Sequence, residues 1–184
     1  MSAPVTLPQI AYEAPDFDAR FMASLHEYGF AAVVNHPLEG ARISRIYSDW
    51  RAFFASGDGA VFEMDPVKQD GYFSLRQAEH AKGFLERDHK EYFQFYPWGR
   101  CPDSLRADLA THFDAAVALG VQLLACIARS LPQSVTSRLS EPLRNMIQGS
   151  EQTMLRVLHY PPVPTAQSLM RAAPHEDINL LTLL

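Results

Sequence analysis

His175-Glu176-Asp177-Ile178-Asn179-Leu180-Leu181-Thr182-Leu183-Leu184 is the stretch on which the reading of this chain turns. A histidine and an aspartate stand two residues apart, directly ahead of an apolar, strand-like run. Residues i and i+2 of a strand point to the same face. The imidazole and the carboxylate are therefore predicted to converge on one metal ion, as two of the three protein ligands of a non-haem iron(II) site. Asn179 continues that face, lining a pocket or steadying a ligand, while Glu176 points to the other face and reads as a surface carboxylate. A plain structural reading of the same run, an ordinary strand with a polar entry, stays open at this point. The third ligand of such a site does not follow within the 184 residues.

His-x-Asp/Glu is a weak pattern by itself. With 7 histidines and 21 acidic residues in the chain, roughly 0.8 matches arise by chance on simple counting. Three are present: His89/Glu91, His112/Asp114 and His175/Asp177. His112 and Asp114 fall in a predicted long helix, where i and i+2 diverge by about 200°, so they read as a solvated helix face. His89 and Glu91 lie in the charged run Arg87-Asp88-His89-Lys90-Glu91 and read as a solvated or salt-bridged edge. Of the remaining histidines, His26 and His36 flank element ends, His80 lies in a polar loop, and only one of His159 and Tyr160 can face an interior.

Composition bounds the rest. The length suits one domain with a real core, and 47% apolar with 20% charged residues is ordinary for a globular chain. The net charge of -5, without a basic run, argues against nucleic acid as a partner. No run of about 20 apolar residues suggests a membrane span. The N-terminus lacks the pattern of a secretion signal. Cys101 and Cys126 form no paired motif and read as packing residues of a protein in a reducing cytoplasm. The oligomeric state is not legible.

Along the chain, Val5 to Ile10 reads as an extended entry. Asp16 is predicted to cap a helix to Tyr28, with Phe17, Phe21, Leu25 and Tyr28 on one face and Gly29 as its stop. Phe30 to Val34 reads as a short buried strand. A second helix over Glu39 to Ala55 turns Ile43, Ile46, Tyr47, Trp50, Phe53 and Phe54 inward. Ser56 to Gly71 reads as a loop, and Tyr72 to Tyr96 as irregular strands ending in an aromatic cluster. Pro102 opens the longest helix, which stops before Pro132. Pro142 to Ile147 is a short helical piece, and Thr153 to Tyr160 a strand ended by Pro161-Pro162. Helices thus dominate residues 1–150, and strands take over in 151–184. Two or three late strands do not close a core, so the β-structure is expected to continue beyond Leu184.

Several segments, in order, carry a resemblance: Leu7-Pro8-Gln9-Ile10, Gly29-Phe30-Ala31-Ala32-Val33-Val34-Asn35-His36, Gly71-Tyr72-Phe73, Asp88-His89-Lys90-Glu91-Tyr92-Phe93, Leu155-Arg156-Val157-Leu158-His159-Tyr160-Pro161-Pro162 and the closing run from His175. Together they resemble the isopenicillin N synthase-like branch of the iron(II)/2-oxoglutarate-dependent oxygenases, across nearly the whole chain. The resemblance implies an α+β fold: a double-stranded β-helix, or jelly roll, with N-terminal helices packed outside and a barrel left incomplete in this chain. It implies Fe(II) held by His175, Asp177 and a later histidine, with 2-oxoglutarate as co-substrate, dioxygen as oxidant and a small molecule as substrate. Tyr160 matches a tyrosine that contacts the co-substrate carboxylate. Leu158 stands where many plant members carry asparagine, which removes one contact of that set. Tyr72, Phe73, Phe93 and Phe95 match the region that walls the substrate. Two alternatives accompany this expectation: an iron oxidase on the same scaffold that uses no 2-oxoglutarate, and a non-catalytic fragment or partner subunit lacking the third ligand.

Overall fold

The computed structural model describes residues 6–77, 88–163, 169–175, 177 and 179–184. Val5, His80, Arg87, Glu176 and Ile178, on which expectations above fall, lie outside the described residues. The chain divides into two compact units.

The first unit comprises Met1–Leu38 and Ala115–Gly149. Strand β1 (Gln9–Ala11) pairs in parallel with β2 (Ala32–Val34), joined by helix α1 (Phe17–Tyr28). Phe17 and Phe21 are buried and stacked at 5.4 Å, as their spacing predicts. Asp16 stands at the N-cap but its side chain makes no capping bond. The predicted stop holds: Gly29 is left-handed at φ 73° and its N–H donates to the Leu25 carbonyl at 2.9 Å, a conformation that suits a residue without Cβ. β2 is shorter than expected and only partly buried, and Phe30 is 59% exposed.

Helix α3 (Asp103–Ser130) runs through the boundary of the two units. Leu119, Leu123, Leu124 and Cys126 are buried on its second half. By length and composition α3 also passes for a membrane span, with an 18-residue window of mean hydropathy 1.5, against the expectation of no such run. A core helix of a soluble protein meets the same test. Burial pushes the Cys126 thiol up to about 12 and the Cys101 thiol up to about 11, so both are inert packing groups.

The second unit comprises Glu39–Asp114 and Ser150–Thr182. It holds a three-stranded antiparallel sheet in the order β3-β4-β5, from β3 (Gly71–Phe73), β4 (Glu91–Phe95) and β5 (Leu155–His159). The register sets Tyr72 opposite Phe93, and Phe93 opposite Val157. The late strand therefore does not start a new sheet; it completes one begun at Gly71. Helix α2 (Gly40–Ser56) covers one face. Phe93 lies 4.7 Å from Trp50 and 5.8 Å from Phe53, ring to ring, and Trp50, Phe93 and Phe95 are essentially solvent-free. Each such aromatic contributes about 1.5–3 kcal/mol by leaving water. Tyr47, predicted inward, is 68% exposed; the inward stripe of α2 runs through Trp50 and Phe53 instead. β3 begins at Gly71, where φ is 102° and a Cβ would lie 2.4 Å from the Phe62 carbonyl oxygen, so no larger residue fits. Arg100 fixes that corner: its backbone N–H donates to the buried Asp70 carboxylate at 2.6 Å.

Among the described residues of 175–184, none is in a strand. The expected final strand has no ladder partner there, and extended backbone without one keeps its N–H and C=O groups for water and side chains. A closed jelly roll is accordingly not displayed; the architecture observed is helices with two small sheets.

Candidate metal centre

Pleating divides the sheet of the second unit into two chemical surfaces. Glu91, Phe93, Phe95 and Tyr72 lie on the α2 side, with His159 stacked on Phe54 at 5.2 Å. Alternate positions fall on the opposite side. There Phe73 stacks on Tyr92 at 4.6 Å, the Arg156 guanidinium lies 4.5 Å from the Tyr92 ring centre, and Arg156 donates to Gln94 Oε1 at 2.5 Å. By the same alternation Leu158 shares the side of Arg156, and residue 160, just past the strand, falls there too. Tyr160 is half-buried.

His175 and Asp177 meet. His175 Nε2 lies 3.4 Å from Asp177 Oδ1, and the two side chains are 52% and 57% exposed. Among the described residues neither lies in a strand, so strand alternation is not what brings them together. His175 Nδ1 lies 2.8 Å from the Ala173 carbonyl oxygen. A carbonyl only accepts, so Nδ1 carries a proton, and Nε2 is the ring nitrogen left facing Asp177. Nε2 faces the Asp177 carboxylate oxygen at ion-pair distance, a gap that a proton on Nε2 or a metal ion between the two would bridge. Around a six-coordinate ion with bonds of about 2.1 Å, adjacent donors lie about 3.0 Å apart. The observed separation needs only a small closure to reach that, and one imidazole with one carboxylate is the donor chemistry that non-haem iron takes. The residues present therefore fit a metal ion as two of its ligands. Among the described residues no group of three or more His, Cys, Asp or Glu side chains is placed to hold one.

The His175–Asp177 pair is buttressed on its far side. Thr182 Oγ1 donates to Asp177 Oδ2 at 3.2 Å, and Asn179 Nδ2 donates to Thr182 Oγ1 at 2.9 Å. Asn179 thus reaches Asp177 through a hydroxyl. Thr182, at i+5 from Asp177, carried no signal in a strand reading.

The other residues singled out in the sequence separate. Phe73 is buried on the Arg156 side of the sheet. Tyr72 and Phe93 lie on the α2 side, within the aromatic core. His89 and Glu91 do not form a solvated edge. Glu91 is buried; it accepts from the Tyr72 hydroxyl and lies 2.7 Å, through Oε1, from His159 Nδ1. One carboxylate thereby ties β3, β4 and β5 together, and burial with that bond pushes the Tyr72 phenol up. His112 is half-buried and Asp114 exposed on α3, so of the two only Asp114 stands on the solvated helix face expected for both. Sequence reasoning passed over Asp88 and Lys90, which form a buried ion pair at 2.9 Å. Their signal was a charged run, which reads as surface unless its partners are known.

No family model matches the chain. It is 24% identical over 180 residues to Jasmonate-induced oxygenase 1 of Arabidopsis thaliana, covering 92% of this chain and 44% of that protein. It is 27% identical over 201 residues to 2-oxoglutarate-dependent dioxygenase htyE of Aspergillus rugulosus, covering 95% and 59%. Among solved structures, a Shewanella oneidensis protein provisionally described as an oxygenase superposes with a TM-score of 0.83 at 42% identity, over 96% of this chain and 64% of that one. Over nearly its whole length the chain is thus similar to proteins named or provisionally described as oxygenases. A Caulobacter crescentus protein provisionally described as a member of the 2OG-Fe(II) oxygenase family, with a TM-score of 0.63 at 24% identity over 86% of this chain and 57% of that one, shares the fold. The chain spans about half the length of the curated oxygenases it matches, 44% and 59%.

Proposed function

We propose that this chain is the first part of an iron(II)/2-oxoglutarate-dependent oxygenase of the isopenicillin N synthase-like branch, acting on a small molecule. In this reading residues 1–150 supply the helical surround and the early strands, and 151–184 lead into the core of a jelly roll that continues past Leu184. His175 and Asp177 are two of three protein ligands of Fe(II). When bound, iron(II) with 2-oxoglutarate supplies activation of dioxygen coupled to oxidative decarboxylation of the co-substrate, ending in oxidation of a substrate C–H bond.

The chain's own residues do the positioning. His175 offers Nε2 because the Ala173 carbonyl holds the proton on Nδ1. Asp177 offers Oδ1 while Thr182 occupies Oδ2, so the carboxylate is steered toward one-oxygen ligation. Tyr160 contacts the co-substrate carboxylate, and Phe73 with Tyr92 forms an apolar wall that limits water. Asn179 steadies Asp177 through Thr182. Tyr72 and Phe93 support that wall from the core behind it. A reducing cytoplasm is the proposed location, supported by two buried free cysteines.

The observation that carries this reading is the 3.4 Å approach of His175 Nε2 to an Asp177 carboxylate oxygen, in a chain similar to proteins named as oxygenases of this kind. The test is anaerobic titration of the full-length protein with Fe(II) and 2-oxoglutarate. The expected result is a weak visible charge-transfer band that His175→Ala and Asp177→Ala abolish, with succinate released on turnover. Substrate oxidation without succinate would favour the oxidase that uses no 2-oxoglutarate. A full-length protein that retains no Fe(II) would favour the non-catalytic reading.

A further inference from the structure

The segment that carries the candidate metal ligands has no strand among its described residues, yet His175 is placed. Three hydrogen bonds do the placing, and two of them start from one turn ahead of β4. The His89 N–H donates to the Met170 carbonyl at 2.7 Å. Asp88 Oδ1 accepts the Ala173 N–H at 2.9 Å. Ala173 is 2% exposed, and its carbonyl is the oxygen that orients the His175 ring at 2.8 Å. One buried residue thus has its N–H taken by Asp88 and its C=O taken by the candidate ligand.

Asp88 is itself held. It is buried, and its Oδ2 pairs with the buried Lys90 ammonium at 2.9 Å. A buried carboxylate that spends one oxygen on a cation and the other on a loop N–H is a rigid fixture. From Lys90 to Asp88, to the Ala173 backbone, to His175 Nδ1, each contact is of hydrogen-bond length. The separation of Nε2 from Asp177 Oδ1 is the free end of that chain.

From this geometry we infer that Asp88 is a positioning residue for the metal: through the Ala173 N–H it fixes the loop that presents His175, although it lies 87 positions earlier in the sequence and touches no ligand atom. The inference rests on the metal-centre reading given above. It sets Asp88 apart from Lys90, whose part is to neutralise a buried charge. Removing Asp88 orphans a buried N–H and frees the His175 anchor; removing Lys90 costs stability but leaves the Ala173 bond in place.

The test measures Mn(II) affinity of the full-length protein by the loss of the free-ion paramagnetic resonance signal, without turnover. Asp88→Ala is expected to raise the Mn(II) dissociation constant at least tenfold. Asp88→Asn, which keeps an oxygen for the Ala173 N–H, should stay within about threefold of wild type. Lys90→Met should lower the unfolding midpoint yet also stay within that range. Equal affinity of Asp88→Ala and wild type overturns the inference, and so does metal affinity that merely follows the unfolding midpoint across the three variants. Wild-type protein that binds no Mn(II) overturns the metal-centre reading and this inference with it. A second measurement needs no variant: amide hydrogen exchange of the metal-free wild type. Protection of the Ala173 amide comparable with β4 is expected, and free exchange like an exposed loop amide overturns the inference.

Discussion

Within the second unit, the β3-β4-β5 sheet and the segment carrying His175 and Asp177 are built by opposite means. The sheet is over-determined: a continuous ladder joins its strands, one face is closed by Trp50, Phe53 and Phe54, and the Glu91 carboxylate bonds across all three strands. The ligand segment has no ladder among its described residues, and its side chains are half exposed. A few polar bonds hold it: Met170 and Ala173 to the 88–90 turn, Nδ1 to Ala173, Thr182 to Asp177. Stability is thus concentrated in one place and the candidate chemistry in another. Folding therefore depends little on the half-exposed His175 and Asp177 side chains, while the buried Asp88–Ala173 contact holds the loop that presents them.

Substitutions should expose the contrast, and the largest effect is expected in the core. Phe93→Ala should cost about 3–5 kcal/mol, read as a shift of the chemical denaturation midpoint; a cost below about 1 kcal/mol would show that the α2 face is not close-packed. Next comes Glu91→Ala, which strands the Tyr72 hydroxyl and His159 Nδ1. It should cost about 1–3 kcal/mol by the same measurement, and Glu91→Gln should recover part of that.

Acid sharpens the comparison at the join of the two regions. Burial pushes the Asp88 carboxyl up, but the Ala173 N–H and the Lys90 ammonium more than offset this and hold it below its ordinary value of 3.8. A carboxyl depressed in the folded state contributes stability above that ordinary value and loses it as pH falls through the folded value. Wild-type stability should therefore drop below about pH 4, and Asp88→Asn should flatten that limb of the denaturation profile; an unchanged limb would show that the pair contributes nothing. The smallest effect on folding is expected at the ligands themselves. His175→Ala and Asp177→Ala should each leave the unfolding free energy of the metal-free protein within about 0.5 kcal/mol of wild type, while removing metal binding. A loss of several kcal/mol would mean that the segment belongs to the core.

The sequence made the helices legible because apolar spacing and stop signals are local: Phe17 and Phe21, Trp50 and Phe53, and the Gly29 stop all sit where their pattern put them. Pairing was not legible. Nothing local in Glu91-Tyr92-Phe93-Gln94-Phe95 announces Leu155 to His159 as its partner, because a ladder is a long-range fact. For Glu91 and Asp88 the ion pairing was legible but the burial was not, for the same reason: a charged run reads as a solvated or salt-bridged edge until the distant Tyr72, His159 and Ala173 are known. His175 and Asp177 were found, but by a strand rule that the loop does not follow. Their meeting rests on the Ala173 carbonyl, a backbone atom whose presence no residue identity records.

The corner at Gly71 has a consequence for how the sheet can grow. The outer edge of β3 is occupied: Glu63 bridges to Tyr72, the Met64 N–H donates to the Tyr72 carbonyl at 2.9 Å, and Arg100 caps the Glu63 carbonyl at 2.9 Å. β5, at the other end of the order, carries no such cover among the described residues. An uncovered edge is a template for a further strand, and a blocked one is not. Propagation of this sheet is therefore one-directional, with Gly71 and Arg100 as its terminator and β5 as the side from which any additional strand must be laid down.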